Sequence, residues 1–184
     1  MTFALTALAA VLAAPPAAGL APQPTDAQIR ERIEVYLGAI DTPIPATRWR
    51  ALGPRAVPQL AAIAHSEAEM PTSRATAVEA LAALGGAEAE AVAAELARAP
   101  QAPFVVRASA IEAVGRLAAG PAVGAALQPL LRGAADPRLR AVAAETLARH
   151  GGTDGCAAVR ERVGAEPERE RGKFRRALSA CERK

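Results

Sequence analysis

Few side chains in this sequence could carry out acid–base, nucleophilic or metal chemistry: 184 residues contain two His, two Cys and one Tyr. His65 stands beside Ser66, but adjacent residues on a helix do not face each other, so this dipeptide does not predict a nucleophile with its base. A zinc site would need His65, His150, Cys156 and Cys181 to converge without any C-x-x-C or H-x-x-x-H spacing. The residue types therefore predict no catalytic, metal or cofactor site, and we expect the chain not to be an enzyme.

The two cysteines lie near the end of the chain, at Cys156 and Cys181. If the last segment forms an antiparallel helix pair with its turn near residues 164–167, the two side chains come within bridging distance after a modest adjustment. Such a pair forms a disulfide in an oxidising compartment, whereas two small buried thiols are expected elsewhere. The spacing thus predicts a disulfide for an exported chain.

The N-terminal segment indicates where the protein works. Its apolar run, residues 3–14, is too short to span a bilayer and ends at Pro15 and Pro16. Small residues follow as in a secretory signal peptide, although no Lys or Arg precedes the run. We predict a signal peptide at 1–21, a linker at 22–27, a repeat domain at 28–184 and no transmembrane segment in the mature, periplasmic or extracellular chain. A disordered Ala/Pro-rich tail on a cytoplasmic protein is the alternative.

A repeated block must position whatever surface the protein uses. RATAVEALAALG, RASAIEAVGRLA and RAVAAETLARHG begin 33 residues apart, at Arg74, Arg107 and Arg140. The apolar positions of each block share one arc of an α-helix, and an alanine-rich apolar segment precedes each block. Helix-favouring alanine is abundant, while aromatic residues make up only 3% of the chain. The pattern predicts an all-α array of helix pairs whose second helices begin near residues 72, 105 and 138.

The segment DPRLRAVAAETL, residues 136–147, resembles HEAT repeats, in particular the short HEAT-like units also found in phycobilin lyases. The resemblance covers roughly residues 50–152. It implies a right-handed α-α superhelix, or solenoid, of about four helix pairs. Residues 25–40 then form an N-terminal capping helix with Ile29, Ile33, Leu37 and Ile40 on one face. Trp49 is expected to plug the first pair, and residues 154–184 form a degenerate terminal pair.

Two sets of polar residues follow from this arrangement. The arginines Arg74, Arg107 and Arg140 lie on the buried arc, and the resemblance implies a structural ladder between repeats, with carbonyls or an acidic group as acceptors. The exposed side of the second helices lines the concave face in HEAT-like arrays. We predict that it binds the partner through Thr76, Glu79, Ser109, Glu112, Arg116, Glu145 and Arg149.

The leading functional hypothesis is a non-catalytic, exported scaffold that binds a protein or peptide. Nucleic-acid binding is the alternative, but the net charge of +3 comes from residues 156–184, which hold nine basic and five acidic residues, and no basic stripe follows the array. A second alternative is an accessory subunit of a lyase-type enzyme. Among HEAT-like enzymes, deoxyhypusine hydroxylases carry repeated His-Glu pairs that bind iron, and no His-Glu dipeptide occurs in this sequence.

Overall fold

The computed structural model describes residues 24–39, 42–118 and 120–182. Within these ranges the chain forms ten α-helices, one 3-10 turn at Pro54–Ala56 and no strand. The helices are α1 Asp26–Leu37, α2 Ala46–Arg50, α3 Val57–His65, α4 Pro71–Leu84, α5 Ala87–Arg98, α6 Phe104–Leu117, α7 Gly120–Gly133, α8 Pro137–His150, α9 Gly152–Ala165 and α10 Glu168–Leu178. The predicted all-α, HEAT-like solenoid is confirmed.

Helices α3 to α10 form four successive pairs, and α1 precedes them. The second helices of the first three pairs begin at Pro71, Phe104 and Pro137, each within one residue of the predicted start. Proline favours these starts because its ring sets the helical φ angle and its missing N–H needs no partner in the first turn. At α8 the Asp136 side chain also caps the helix by accepting from the Arg138 N–H at 2.8 Å.

The second helices α4, α6, α8 and α10 pack against one another in order. Helices α4, α6 and α8 therefore bury a broader arc than the apolar positions of the repeated block suggest, whereas α10 buries only Phe174 and Ala177. In α4, Ala75 and Ala80 are buried together with Val78 and Leu81. Alanine on two sides of a helix lets neighbouring backbones approach closely, so the second helices keep only a narrow polar strip for solvent.

The N-terminal end of the array is closed by α1 and α2. Thr25 forms a capping box with Gln28, and Ile29 and Ile33 are buried, whereas Ile40 lies outside the described residues. The short helix α2 occupies the segment predicted as a link. It buries Trp49, the expected plug, in edge-to-face contact with the Tyr36 ring at 5.1 Å between centroids.

The terminal pair, α9 and α10, is held partly by a covalent bond. The predicted disulfide between Cys156 and Cys181 is present, with the two Cα atoms 5.9 Å apart. Phe174 of α10 is fully buried in the apolar core. The predicted signal peptide lies outside the described residues, and none of the described helices is long and apolar enough to cross a membrane.

Candidate protein-binding face

Arginines at the start of the second helices hold each pair together. Arg74, the fourth residue of α4, donates from Nε to the Ala64 carbonyl at 3.0 Å, and Arg107 donates likewise to the Ala97 carbonyl at 3.2 Å. Both carbonyls belong to the last turn of the preceding helix, where backbone acceptors lack helical partners and the macrodipole favours a cation. These bonds lie within a pair, not between repeats as the resemblance implied, because the nearest unpaired carbonyls belong to the pair's own first helix.

Arg140 does connect neighbouring pairs. Its Nη1 donates to the Ala134 carbonyl at 2.8 Å, and its Nε and Nη2 each lie 2.7 Å from a carboxylate oxygen of Glu166. The Glu166 side chain is fully buried and also accepts from Arg162 Nε at 2.6 Å. Hydrogen bonds from Arg140, then from Arg162, hold the pKa of Glu166 below its ordinary value against the opposing effect of burial.

The terminal pair contains a fourth arginine that corresponds to Arg74, Arg107 and Arg140. This residue, Arg171, was missed when the repeated blocks were compared. It is the fourth residue of α10, as Arg74 is of α4, and its Nε donates to the Glu166 carbonyl at 2.9 Å. The spacing from Arg140 is 31 residues where the earlier spacing is 33. Each of the four arginines follows, by three or four residues, a proline at or just before the helix start, and counting from that proline instead of using a constant period would have found Arg171.

The exposed strip of the second helices forms a continuous surface, which we call the second-helix face. When the four helices are aligned from their first residues, Lys173 and Arg176 of α10 occupy the positions equivalent to Thr76 and Glu79 of α4. The face thus consists of the seven predicted residues together with these two. Its members are Thr76, Glu79, Ser109, Glu112, Arg116, Glu145, Arg149, Lys173 and Arg176.

Several charged residues on this face form no ion pair within the part of the chain that the structure describes. Glu145 and Arg149 form the expected i,i+4 pair at 2.9 Å, and Ser109 Oγ donates to Glu79 Oε1 of the neighbouring helix at 3.3 Å. Glu112 and Arg116 have the same sequence spacing, but they form no ion pair with each other or with any other described residue. The i,i+4 ion pair that would stabilise α6 is therefore not formed between Glu112 and Arg116.

Two depressions lie on the second-helix face. At the N-terminal end, Glu79 and Arg116 border a depression of about 380 Å³ whose other wall is α2, with Arg50 and the edge of Trp49. At the opposite end, Glu145, Lys173 and Arg176 surround one of about 290 Å³ between α8 and α10. Arg176 forms no ion pair with any described residue. Each depression therefore offers charged groups of both signs around a partly apolar floor.

The remaining candidate residues do not come together. The four residues that a zinc site would have needed do not converge as free ligands, since Cys156 and Cys181 are bonded to each other. His65 lies 3.9 Å from Glu95, and His150 ends α8 beside Gly115 of α6. The described residues contain no group of three or more His, Cys, Asp or Glu side chains placed to hold a metal ion.

No protein family model matches the chain, and no curated protein matches it. Among solved structures, the chain is similar to human deoxyhypusine hydroxylase in complex with glycerol, with a TM-score of 0.59 and 20% sequence identity. The similarity covers 86% of this chain and 64% of that protein, so this chain spans less than two thirds of its length. At this identity the comparison supports a HEAT-like helical repeat fold and no closer relationship.

The comparison overturns one prediction. We expected the chain not to be an enzyme, and this is contradicted because the structure with which it shares its fold is an enzyme. We inferred from the small number of His and Cys residues that the chain is not an enzyme, and this inference was wrong. The same fold serves for binding in one protein and for catalysis in another. The HEAT-like fold of this chain is thus compatible with either kind of function.

Proposed function

We propose that this chain is an exported, HEAT-like binding module that holds an extended protein or peptide segment across its second-helix face. The observation that carries the proposal is a set of charges on this face without an ion-pair partner among the described residues, above all Glu112 and Arg116. Charged side chains that stabilise a helix form ion pairs with one another. Charged side chains that bind a partner remain available to form ion pairs with that partner.

The mixture of charges favours a protein partner. Glu79, Glu112 and Glu145 form an acidic row across the first three second helices, while Lys173 and Arg176 continue it as basic residues at the fourth. A polyanion such as nucleic acid would meet repulsion along most of this row. A peptide with basic residues toward the first pairs and an acidic residue at the last pair would meet complementary charges along this row.

Export is part of the proposal and has separate support. The disulfide between Cys156 and Cys181 is typical of proteins that fold in oxidising compartments, and the N-terminal 21 residues have the composition of a signal peptide. N-terminal sequencing of the protein recovered from the cell envelope tests this part. We expect a mature chain that starts near residue 22, and a chain that retains Met1 would contradict export.

Site-specific photo-crosslinking in the native cells tests the binding face. A benzophenone amino acid at Ser109, on the second-helix face, should yield a discrete crosslinked protein that mass spectrometry identifies. The matched control carries the same amino acid at Ala91, which is exposed on the first helix α5. Crosslinking at Ala91 and none at Ser109 would contradict the proposal.

A further inference from the structure

A second groove lies away from the second-helix face, between the second and third helix pairs. The first helices of these pairs, α5 and α7, barely contact each other, although α7 and α9 pack closely. The gap opens a groove of about 690 Å³ along the loops that connect the helices of each pair. Pro100, Phe104 and Pro129 form part of its exposed apolar lining, and the groove shares no residue with the second-helix face.

The groove carries an excess of positive charge. Arg98, Arg107 and Arg138 line it, and Asp136 is the acidic residue in its lining. Arg98 forms no ion pair with any described residue, and the one hydrogen bond of the Arg107 side chain within the described chain uses Nε, so its two terminal nitrogens are open to a ligand. Guanidinium groups with open N–H donors match carboxylates in geometry as well as charge.

Arg138 is fixed in place before any ligand arrives. Asp136 accepts from its Nε at 3.1 Å and from its Nη2 at 2.7 Å, and its guanidinium carbon lies 4.2 Å from the centroid of the Phe104 ring. Hydrogen bonding to Arg138 lowers the pKa of Asp136, with a smaller contribution from the charge of Arg107. A pre-oriented guanidinium over an aromatic ring loses little conformational entropy when it binds.

We infer that this groove is a second docking site, which takes a short protein segment in which aliphatic residues stand next to Asp or Glu. The apolar lining accepts the aliphatic side chains, and Arg98, Arg107 and the pre-oriented Arg138 bind the carboxylates. Phosphate groups would use the same arginines, but a nucleic-acid backbone has no aliphatic side chains to cover the exposed apolar surface of Pro100, Phe104 and Pro129. The combination of an apolar floor and open arginines therefore favours an acidic–aliphatic peptide.

A peptide selection on the full chain tests this inference. Phage-displayed random dodecapeptides are selected on the wild-type protein and screened against the double variant Arg98→Glu/Arg138→Glu. The matched control is Arg132→Glu, an exposed arginine at the end of α7 that does not line this groove. Circular dichroism and thermal unfolding check that each variant folds, and Arg98→Glu alone replaces the double variant if that one does not.

We expect peptides that distinguish wild type from the double variant, with Asp or Glu beside Leu, Ile or Val. The best of them, as a synthetic peptide, should bind the double variant roughly tenfold or more weakly and Arg132→Glu like wild type. An analogue of this peptide with Asn and Gln in place of Asp and Glu should bind the wild-type protein more weakly by a similar factor. The inference fails if no peptide discriminates, if discriminating peptides lack carboxylates, or if single-stranded oligothymidylate binds the groove in an Arg98-dependent way.

Discussion

The second helices carry two sets of charged residues that differ in how they are used. At the fourth position of each helix, Arg74, Arg107, Arg140 and Arg171 donate to carbonyls near the end of the preceding helix, and Arg140 also binds Glu166. One or more turns further along the same helices, Glu112, Arg116 and Arg176 have no ion-pair partner within the described chain. The comparison separates charges that hold the array together from charges that face outward.

The difference has a physical cause in the geometry of a helix pair. The fourth residue of a second helix lies against the last turn of the first helix, where unpaired carbonyls await a donor. Residues on the strip opposite the core have only solvent and the neighbouring strip beside them. Changes in the first set should therefore alter the free energy of unfolding, and changes in the second set should alter binding.

The largest effect on stability is expected at Glu166. Glu166→Ala leaves Arg140 and Arg162 without their shared carboxylate in a largely buried site, and we expect a loss of about 3–5 kcal/mol in the free energy of unfolding. Urea unfolding followed by circular dichroism measures it. Glu161→Ala, which removes an exposed carboxylate from the preceding helix α9, is the control and should change stability by less than about 0.5 kcal/mol. Equal losses in the free energy of unfolding for the two substitutions would show that the buried carboxylate contributes no more to stability than an exposed one.

The disulfide should contribute nearly as much. Cys156 and Cys181 are 25 residues apart, and closing a loop of this length lowers the entropy of the unfolded chain, so Cys156→Ala/Cys181→Ala should cost about 3–4 kcal/mol. Unfolding of the wild type with and without reductant should show the same difference. Reductant should leave the double variant unaffected, and a shift there would trace the effect to something other than the disulfide.

A smaller loss is expected where α6 and α8 approach each other. A Cβ atom at Gly115 would clash with Thr146 Cγ2 and lie 2.9 Å from His150 Cδ2, so Gly115→Ala should cost about 1–2 kcal/mol despite its better helix propensity. Gly172→Ala is the control, because nothing lies within 4 Å of the added atom. It should raise the melting temperature slightly, and a similar rise for Gly115→Ala would show that the two helices are not in close contact.

Acidification should weaken the array through the same carboxylate. The arginines hold the pKa of Glu166 below its ordinary 4.5 in the folded state, so the stabilisation is complete above that pH and is lost as pH falls through the lowered value. The free energy of unfolding of the wild type should therefore decline more steeply below about pH 4.5 than that of Glu166→Gln. Parallel pH profiles would contradict the role of Glu166 as a buried, ionised partner.

The sequence predicted those features of the fold that depend on residues close together in the chain. The 33-residue repeat predicted the starts of α4, α6 and α8 to within one residue, and its arginine is the fourth residue of each of these helices. The partner of Arg140 could not be predicted, since Glu166 lies 26 residues away in a loop. Arg171 was missed because one repeat is shorter by two residues. The groove beside Phe104 was missed because it depends on the separation of α5 and α7, which no local pattern encodes.

The central claim is that the open charges of the second-helix face bind the partner, and one variant tests it most directly. Glu112→Lys/Glu145→Lys reverses two exposed carboxylates and removes one surface ion pair, so it should change the free energy of unfolding by less than about 1 kcal/mol. Capture of the protein identified by crosslinking at Ser109 should be abolished, with helicity and melting temperature nearly unchanged. Undiminished capture by this folded variant would contradict the claim and move the binding site to the basic helix α10, around Arg169 and Arg176.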